Sequence, residues 1–167
     1  MPVQLLSNLS GEDVMVALTG DLLEQEKFPA INLRLSQRVV MDCQGLRHIS
    51  SYAIMLWSKW MKSFDPRQQF VLRNLPPRAV DMLNMVENFL PEDCTIETFY
   101  VPYECQVCDH EELYLARRGK EYLETQDQKP AILRLPIEIN CPKCKNGMTM
   151  GVWQSKFLRF LEKRSKK

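Results

Sequence analysis

Apolar residues recur along this chain at two different spacings, and the changes of spacing mark out its elements. Residues 2–9 and 14–18 are short apolar stretches separated by the polar cluster Ser10-Gly11-Glu12-Asp13, a pattern that predicts a strand pair closed by Thr19-Gly20-Asp21. Residues 22–36 have no regular period, and Pro29 divides them into a loop and one helical turn or so. Residues 39–43 have the composition of a buried strand; Gln44-Gly45 predicts a turn, and Leu46-Arg47-His48-Ile49 leads onward. From Tyr52 onward the apolar residues, Trp57, Trp60 and Phe64 among them, fall at helical spacing and stop before Pro66, with Ser50 or Ser51 placed to cap the helix. Trp57 and Trp60 are read as core filling, with an exposed aromatic patch as the lesser alternative. Residues 70–72 make another strand. Pro76-Pro77 opens a helix through Val80, Leu83 and Val86 to Asn88, and residues 95–101 alternate as one strand.

Beyond residue 101 the pattern shortens. Residues 111–125 are rich in helix formers despite Gly119, residues 126–130 are a polar break, residues 132–139 alternate, and residues 148–153 predict a returning strand. Phe157, Leu158, Phe160 and Leu161 put an apolar stripe on a final basic helix that packs back onto the body. Strands alternating with helices predict an α/β fold, a mixed sheet with covering helices.

Cysteine changes this picture most. Cys105-Gln106-Val107-Cys108 is answered 33 positions after Cys108 by Cys141-Pro142-Lys143-Cys144. Two thiolates separated by two residues on a tight turn can face one ion, and two such turns complete a tetrahedron, so this spacing predicts a four-sulfur site. Zinc is the expected metal, and iron in a rubredoxin-like centre is the alternative. A site closed by four thiolates leaves no position for water and is structural. The hairpins around the two turns outline a zinc-ribbon-like β module. His110, beside the first pair, is expected to make an outer contact, because four cysteines already fill the tetrahedron. Cys43 and Cys94 lie in apolar contexts and are expected to be buried.

Charge narrows the function classes. Residues 1–100 carry 9 basic and 12 acidic side chains, residues 101–167 carry 13 and 9, and the whole chain is at +1. The last twelve residues hold six cations, Lys156, Arg159, Lys163, Arg164, Lys166 and Lys167, against Glu162. Such a tail can touch nucleic acid, yet the overall charge lacks the basic excess of a dedicated nucleic-acid binder. No run of 18 apolar residues and no signal-peptide pattern is present, so the expectation is a cytoplasmic protein with reduced cysteines. No Gly-rich phosphate loop, nucleophile elbow or paired carboxylates occur, so the chain is not expected to be an enzyme.

The run Val40-Met41-Asp42-Cys43-Gln44-Gly45, continued by Leu46-Arg47-His48-Ile49-Ser50-Ser51-Tyr52-Ala53, resembles the signature of the STAS domain, the anti-sigma-factor-antagonist fold. That family shows a strand ending in Asp, a pair ending in Gly, and an Asp-Ser-Ser-Gly turn opening a helix. Residues 71–77, Val-Leu-Arg-Asn-Leu-Pro-Pro, are similar to its next strand and helix start. Aligned on Asp42 and Gly45, the turn falls on Ser50, Ser51, Tyr52 and Ala53, so Tyr52 stands where switching members carry the phosphorylated serine, and Ala53 where they carry the glycine. The resemblance covers about residues 1–101. It implies a STAS-like domain in that span, followed by the ribbon module at 102–155 and a basic amphipathic tail at 156–167.

The function it implies is bacterial signal transduction by a non-catalytic regulatory or scaffolding protein acting through protein–protein contact. The contact surface would lie at Arg47, Ser50, Ser51 and Tyr52, and a homo-oligomer is compatible with it. Ser50 and Ser51 would be the phosphorylation candidates of an anti-sigma-factor antagonist, although a serine at a helix start more often serves as its cap. A nucleic-acid-binding zinc ribbon is the third reading.

Overall fold

A computed structural model of the chain describes residues 3–5, 13–22, 28, 34, 37–87, 89–91, 94–125 and 130–165. The loop and helical turn expected over 22–36 lie largely outside the described residues, as does Asn88, but the second helix stops at Met85, short of the expected Val86, whose backbone is extended (φ −107°, ψ 117°). The chain divides into two compact units, Met1–Glu97 and Thr98–Lys167.

The first unit is a five-stranded sheet in the order β1 (Val3–Leu5), β2 (Asp13–Leu22), β3 (Arg38–Ile49), β4 (Gln69–Arg73), β5 (Thr95–Ile96). β1 runs antiparallel to β2, as the strand-pair pattern predicts, and the other three pairings are parallel. The parallel crossovers carry α1 (Ser51–Met61), between β3 and β4, and α2 (Pro77–Met85), between β4 and β5. A strand packed on both faces reads as a continuous apolar run rather than an alternation. Val39, Val40 and Met41 in β3 and Phe70, Val71 and Leu72 in β4 are accordingly all buried.

β3 departs from expectation. No turn forms at Gln44-Gly45, because parallel pairing with β2 continues there, Thr19 opposite Gly45 and Gly20 opposite Leu46. Gly45 is needed for close approach instead, since a Cβ there would sit 3.1 Å from the Thr19 Cα. β2 likewise runs past its expected close to Leu22, with register shifts around Thr19 and Gly20, where the glycine takes φ +74°.

α1 begins where Ser50 caps it, its hydroxyl accepting the Ala53 N–H at 3.1 Å. The helix ends at Met61 rather than near Pro66. It buries Ala53, Trp57, Trp60 and Met61. Trp57 stacks on Phe89 at 5.5 Å between ring centroids and donates its indole N–H to the Phe89 carbonyl at 2.7 Å. Both tryptophans are thus buried core residues.

The strand expected over 95–101 is two strands. β5 ends at Ile96 in the first sheet, and β6 (Thr98–Glu104) is an inner strand of a second sheet ordered β10 (Glu138–Asn140), β11 (Gly147–Met150), β6, β7 (Glu111–Arg117). β7 replaces the helix expected over 111–125, because antiparallel pairing with β6 extends over seven residues and overrides local helix propensity. β8 (Tyr122–Leu123) and β9 (Ile132–Leu133) make a two-stranded ribbon. The alternation over 132–139 is therefore divided between β9 and β10, and the Tyr103 hydroxyl holds the Pro136 carbonyl between them at 2.5 Å. The returning strand stops at Met150, leaving Trp153 72% exposed ahead of a short helix α3 (Gln154–Phe157) and α4 (Arg159–Ser165). Phe157, Leu158, Phe160 and Leu161 are all buried, and Phe160 meets Phe99 edge-on at 5.3 Å, so the apolar stripe is core.

Candidate metal centre

The two Cys-x-x-Cys segments sit where hairpins turn, between β6 and β7 and between β10 and β11. They fold alike. The Asp109 N–H returns to the Cys105 carbonyl and the Lys145 N–H to the Cys141 carbonyl, at 2.9 and 3.0 Å. The Cys105 N–H reaches the His110 carbonyl and the Cys141 N–H the Asn146 carbonyl, at 2.9 and 2.8 Å. Each turn is closed by a left-handed residue one position after its second cysteine, Asp109 at φ 53° and Lys145 at φ 65°. Asp tolerates that region better than Lys does. The first cysteine of each pair is buried and the second half-buried, so each turn presents two sulfurs to the same interior point.

The four sulfurs lie within 4.8 Å of one another, with Cys105 to Cys144 at 3.4 Å and Cys108 to Cys141 at 3.6 Å. A tetrahedron of metal–sulfur bonds of roughly 2.3 Å has edges of about 3.8 Å, so the group has the size of one coordination sphere. None of the six cysteines is in a disulfide. Cys105, Cys108, Cys141 and Cys144 therefore could hold a metal ion.

The turns also supply hydrogen-bond donors to sulfur. The Asn146 side-chain amide lies 3.4 Å from the Cys144 Sγ and, with its own backbone N–H, lowers that thiol to about 6. Cys141 is lowered as well: burial opposes ionisation, but the N–H groups of Cys144 and Lys143 outweigh it. Cys108 is pushed up to about 12, first by its hydrogen bond to Cys144. The N–H groups of the second turn thus favour the thiolate at Cys141 and Cys144, the form that binds metal. In the sequence, Asn146-Gly147 after the second pair has only the composition of a turn. The role of Asn146 as a sulfur ligand's donor needs the geometry.

His110 is outside the sulfur group, its Nε2 3.2 Å from a Glu112 carboxylate oxygen. Cys43 and Cys94 are buried, and burial first of all pushes the Cys43 thiol up. Of the basic tail, Arg164 is committed to Glu124 at 2.7 Å and Lys156 lies 4.9 Å over the Trp153 ring.

The other sequence-derived group gathers at the junction of β3 and α1. Arg47 is exposed and faces Asp21 at 3.7 Å, Ser50 is engaged as the cap, Ser51 is exposed, and Tyr52 is 45% exposed. Exposed Met55, one turn on from Ser51, extends the patch, and His48 meets Arg78 at 3.3 Å. Met55 is apolar and falls within the helical repeat that begins at Tyr52, so the sequence carries no signal that it is surface.

The chain is a mixed α/β protein with four gathered cysteines. Comparison with protein-family models, with curated proteins and with solved structures finds no match. Among the described residues no helix is long and apolar enough to cross a membrane.

Proposed function

We propose that this is a non-catalytic regulatory or scaffolding protein that acts through protein contact, with zinc bound by Cys105, Cys108, Cys141 and Cys144 shaping its second unit. The observation that carries the proposal is the pairing of a closed four-sulfur group, which leaves no open coordination position, with an exposed patch of Arg47, Ser51, Tyr52 and Met55 at a helix start. A metal enclosed by four thiolates contributes folding energy rather than chemistry. A STAS-like reading of the first unit is supported by its strand order, its antiparallel first strand and its helices after β3 and β4. Zinc is favoured over iron because the group resembles a ribbon staple; absorbance in the visible range and elemental analysis of the purified protein distinguish the two.

The test is capture of a protein partner by wild type and by Tyr52→Ala, with equal metal content and equal thermal unfolding of both verified first. Loss of capture by the variant supports the reading. Undiminished capture removes this surface from it. The phosphorylation-controlled version requires phosphate on Ser51, since Ser50 is engaged as the helix cap, and mass spectrometry of the cellular protein decides it.

A further inference from the structure

β7 is an edge strand: it pairs with β6 and, among the described residues, with no strand of its sheet on its other side. Two hydrogen bonds fix which of its backbone groups face outward. The His110 carbonyl turns inward to the Cys105 N–H, so even-numbered positions point toward β6. The Arg117 N–H turns away from β6 and is taken by the Glu121 carboxylate at 2.9 Å, so odd-numbered positions point outward. The N–H and C=O groups of Glu111, Leu113 and Leu115 are consequently presented at the edge. A seven-residue edge with no proline or bulge is a template for another strand.

The side chains say which strand. On the face opposite Ala116, β7 carries the stripe Glu111, Leu113, Leu115, Arg117: acid, leucine, leucine, base. Leu113 is 49% exposed, and Glu111 and Arg117 are exposed as well. We propose that β7 pairs antiparallel with β7 of a second copy of this chain, about a two-fold axis through Tyr114. Only registers that set outward positions opposite outward positions are allowed, and this one places Glu111 opposite Arg117 twice and Leu113 opposite Leu115 twice. Direct cross-strand pairs of opposite charge and of large apolar groups are the units that stabilise a sheet. The stripe is self-complementary when reversed, which a two-fold contact requires. Glu121 bounds the interface, its carboxylate occupying the Arg117 N–H and its own N–H the Arg117 carbonyl, so the backbone ladder is made by Leu113 and Leu115, twice, and Glu111 meets Arg117 through side chains alone. The product is one continuous sheet made of both four-stranded sheets.

Sedimentation velocity of the full chain over a concentration series tests this. Wild type should dimerise. Glu111→Arg sets like charges opposite each other at two symmetric places and should weaken the dimer roughly ten- to thirtyfold. Leu113→Pro removes an outward N–H and no bond to β6, and should abolish the dimer while leaving the circular dichroism of the chain unchanged. Arg117→Glu alone should be monomeric, but mixed in equal amounts with Glu111→Arg it should form a heterodimer, a rescue that no folding defect can produce. A wild type that stays monomeric at every concentration, a dimer indifferent to Glu111→Arg and Leu113→Pro, or a monomer whose edge captures a foreign strand instead would overturn the proposal.

Discussion

Glu121 is a buried carboxylate in the turn between β7 and β8, and replacing it with Ala should destabilise the second unit by about 2–4 kcal/mol at neutral pH. Its side chain is 3% exposed and accepts the Arg117 N–H at 2.9 Å, with the Arg117 and Lys120 cations at 3.3 and 3.4 Å and the Tyr114 hydroxyl at 3.4 Å. The backbone bond to a charged acceptor is worth roughly 1.5–3 kcal/mol, and its loss also orphans the Arg117 N–H. The two cations are 48% and 72% exposed, so solvent screens them and together they add about 0.5–1 kcal/mol. Gln keeps the acceptor and loses the charge, so Glu121→Gln should cost about 1 kcal/mol. Burial raises the Glu121 carboxyl, but the Arg117 N–H and the neighbouring cations outweigh it and hold the group below its ordinary 4.5. A depressed folded-state value contributes stability that is complete above 4.5 and is lost as pH falls through the folded value. Urea unfolding of wild type and both variants from neutral to acid pH provides the assay, with hydrogen exchange of residues 111–124 as the local readout. An Ala variant within about 0.5 kcal/mol of wild type at neutral pH, or a difference that does not narrow in acid, would refute the reasoning.

Three further outcomes are expected. Chelation, or Cys141→Ser, should remove about one zinc per chain and unfold the second unit while the β1–β5 sheet keeps its circular dichroism signal; a second unit indifferent to chelator would count against a structural site. Trp57→Phe deletes the donor to the buried Phe89 carbonyl and should cost about 2 kcal/mol, read as a shift in the urea midpoint of the first unit. Gly45→Ala forces a Cβ to within 2.8 Å of Thr19 Cγ2 and should cost about 1–3 kcal/mol, whereas Gly119→Ala, at φ +83° with nothing within 4 Å, should cost about 1 kcal/mol for its backbone alone.

What could be read in the sequence follows from the range of the interactions involved. The cysteine group was legible because its geometry is carried by spacing within each turn, and only the meeting of the two turns is non-local. The Trp57 helix was legible because its period and its Ser50 cap are local. Gly45 was misread as a turn because the signal that produces a turn, a small flexible residue after a strand, is the same one that lets Thr19 approach from a neighbouring strand. Residues 111–117 were misread as helix for a related reason. Glu, Leu and Ala favour a helix in isolation, and only the seven-residue ladder with β6, anchored where the first cysteine turn reverses the chain, converts them to strand. The same ladder sets the parity of β7. Parity brings Glu111, Leu113, Leu115 and Arg117 onto one face, a grouping that a helical period disperses around a cylinder. The self-complementary stripe therefore exists only as a strand, and the segment whose local preferences were overridden by the fold is the segment that the fold leaves with an open edge.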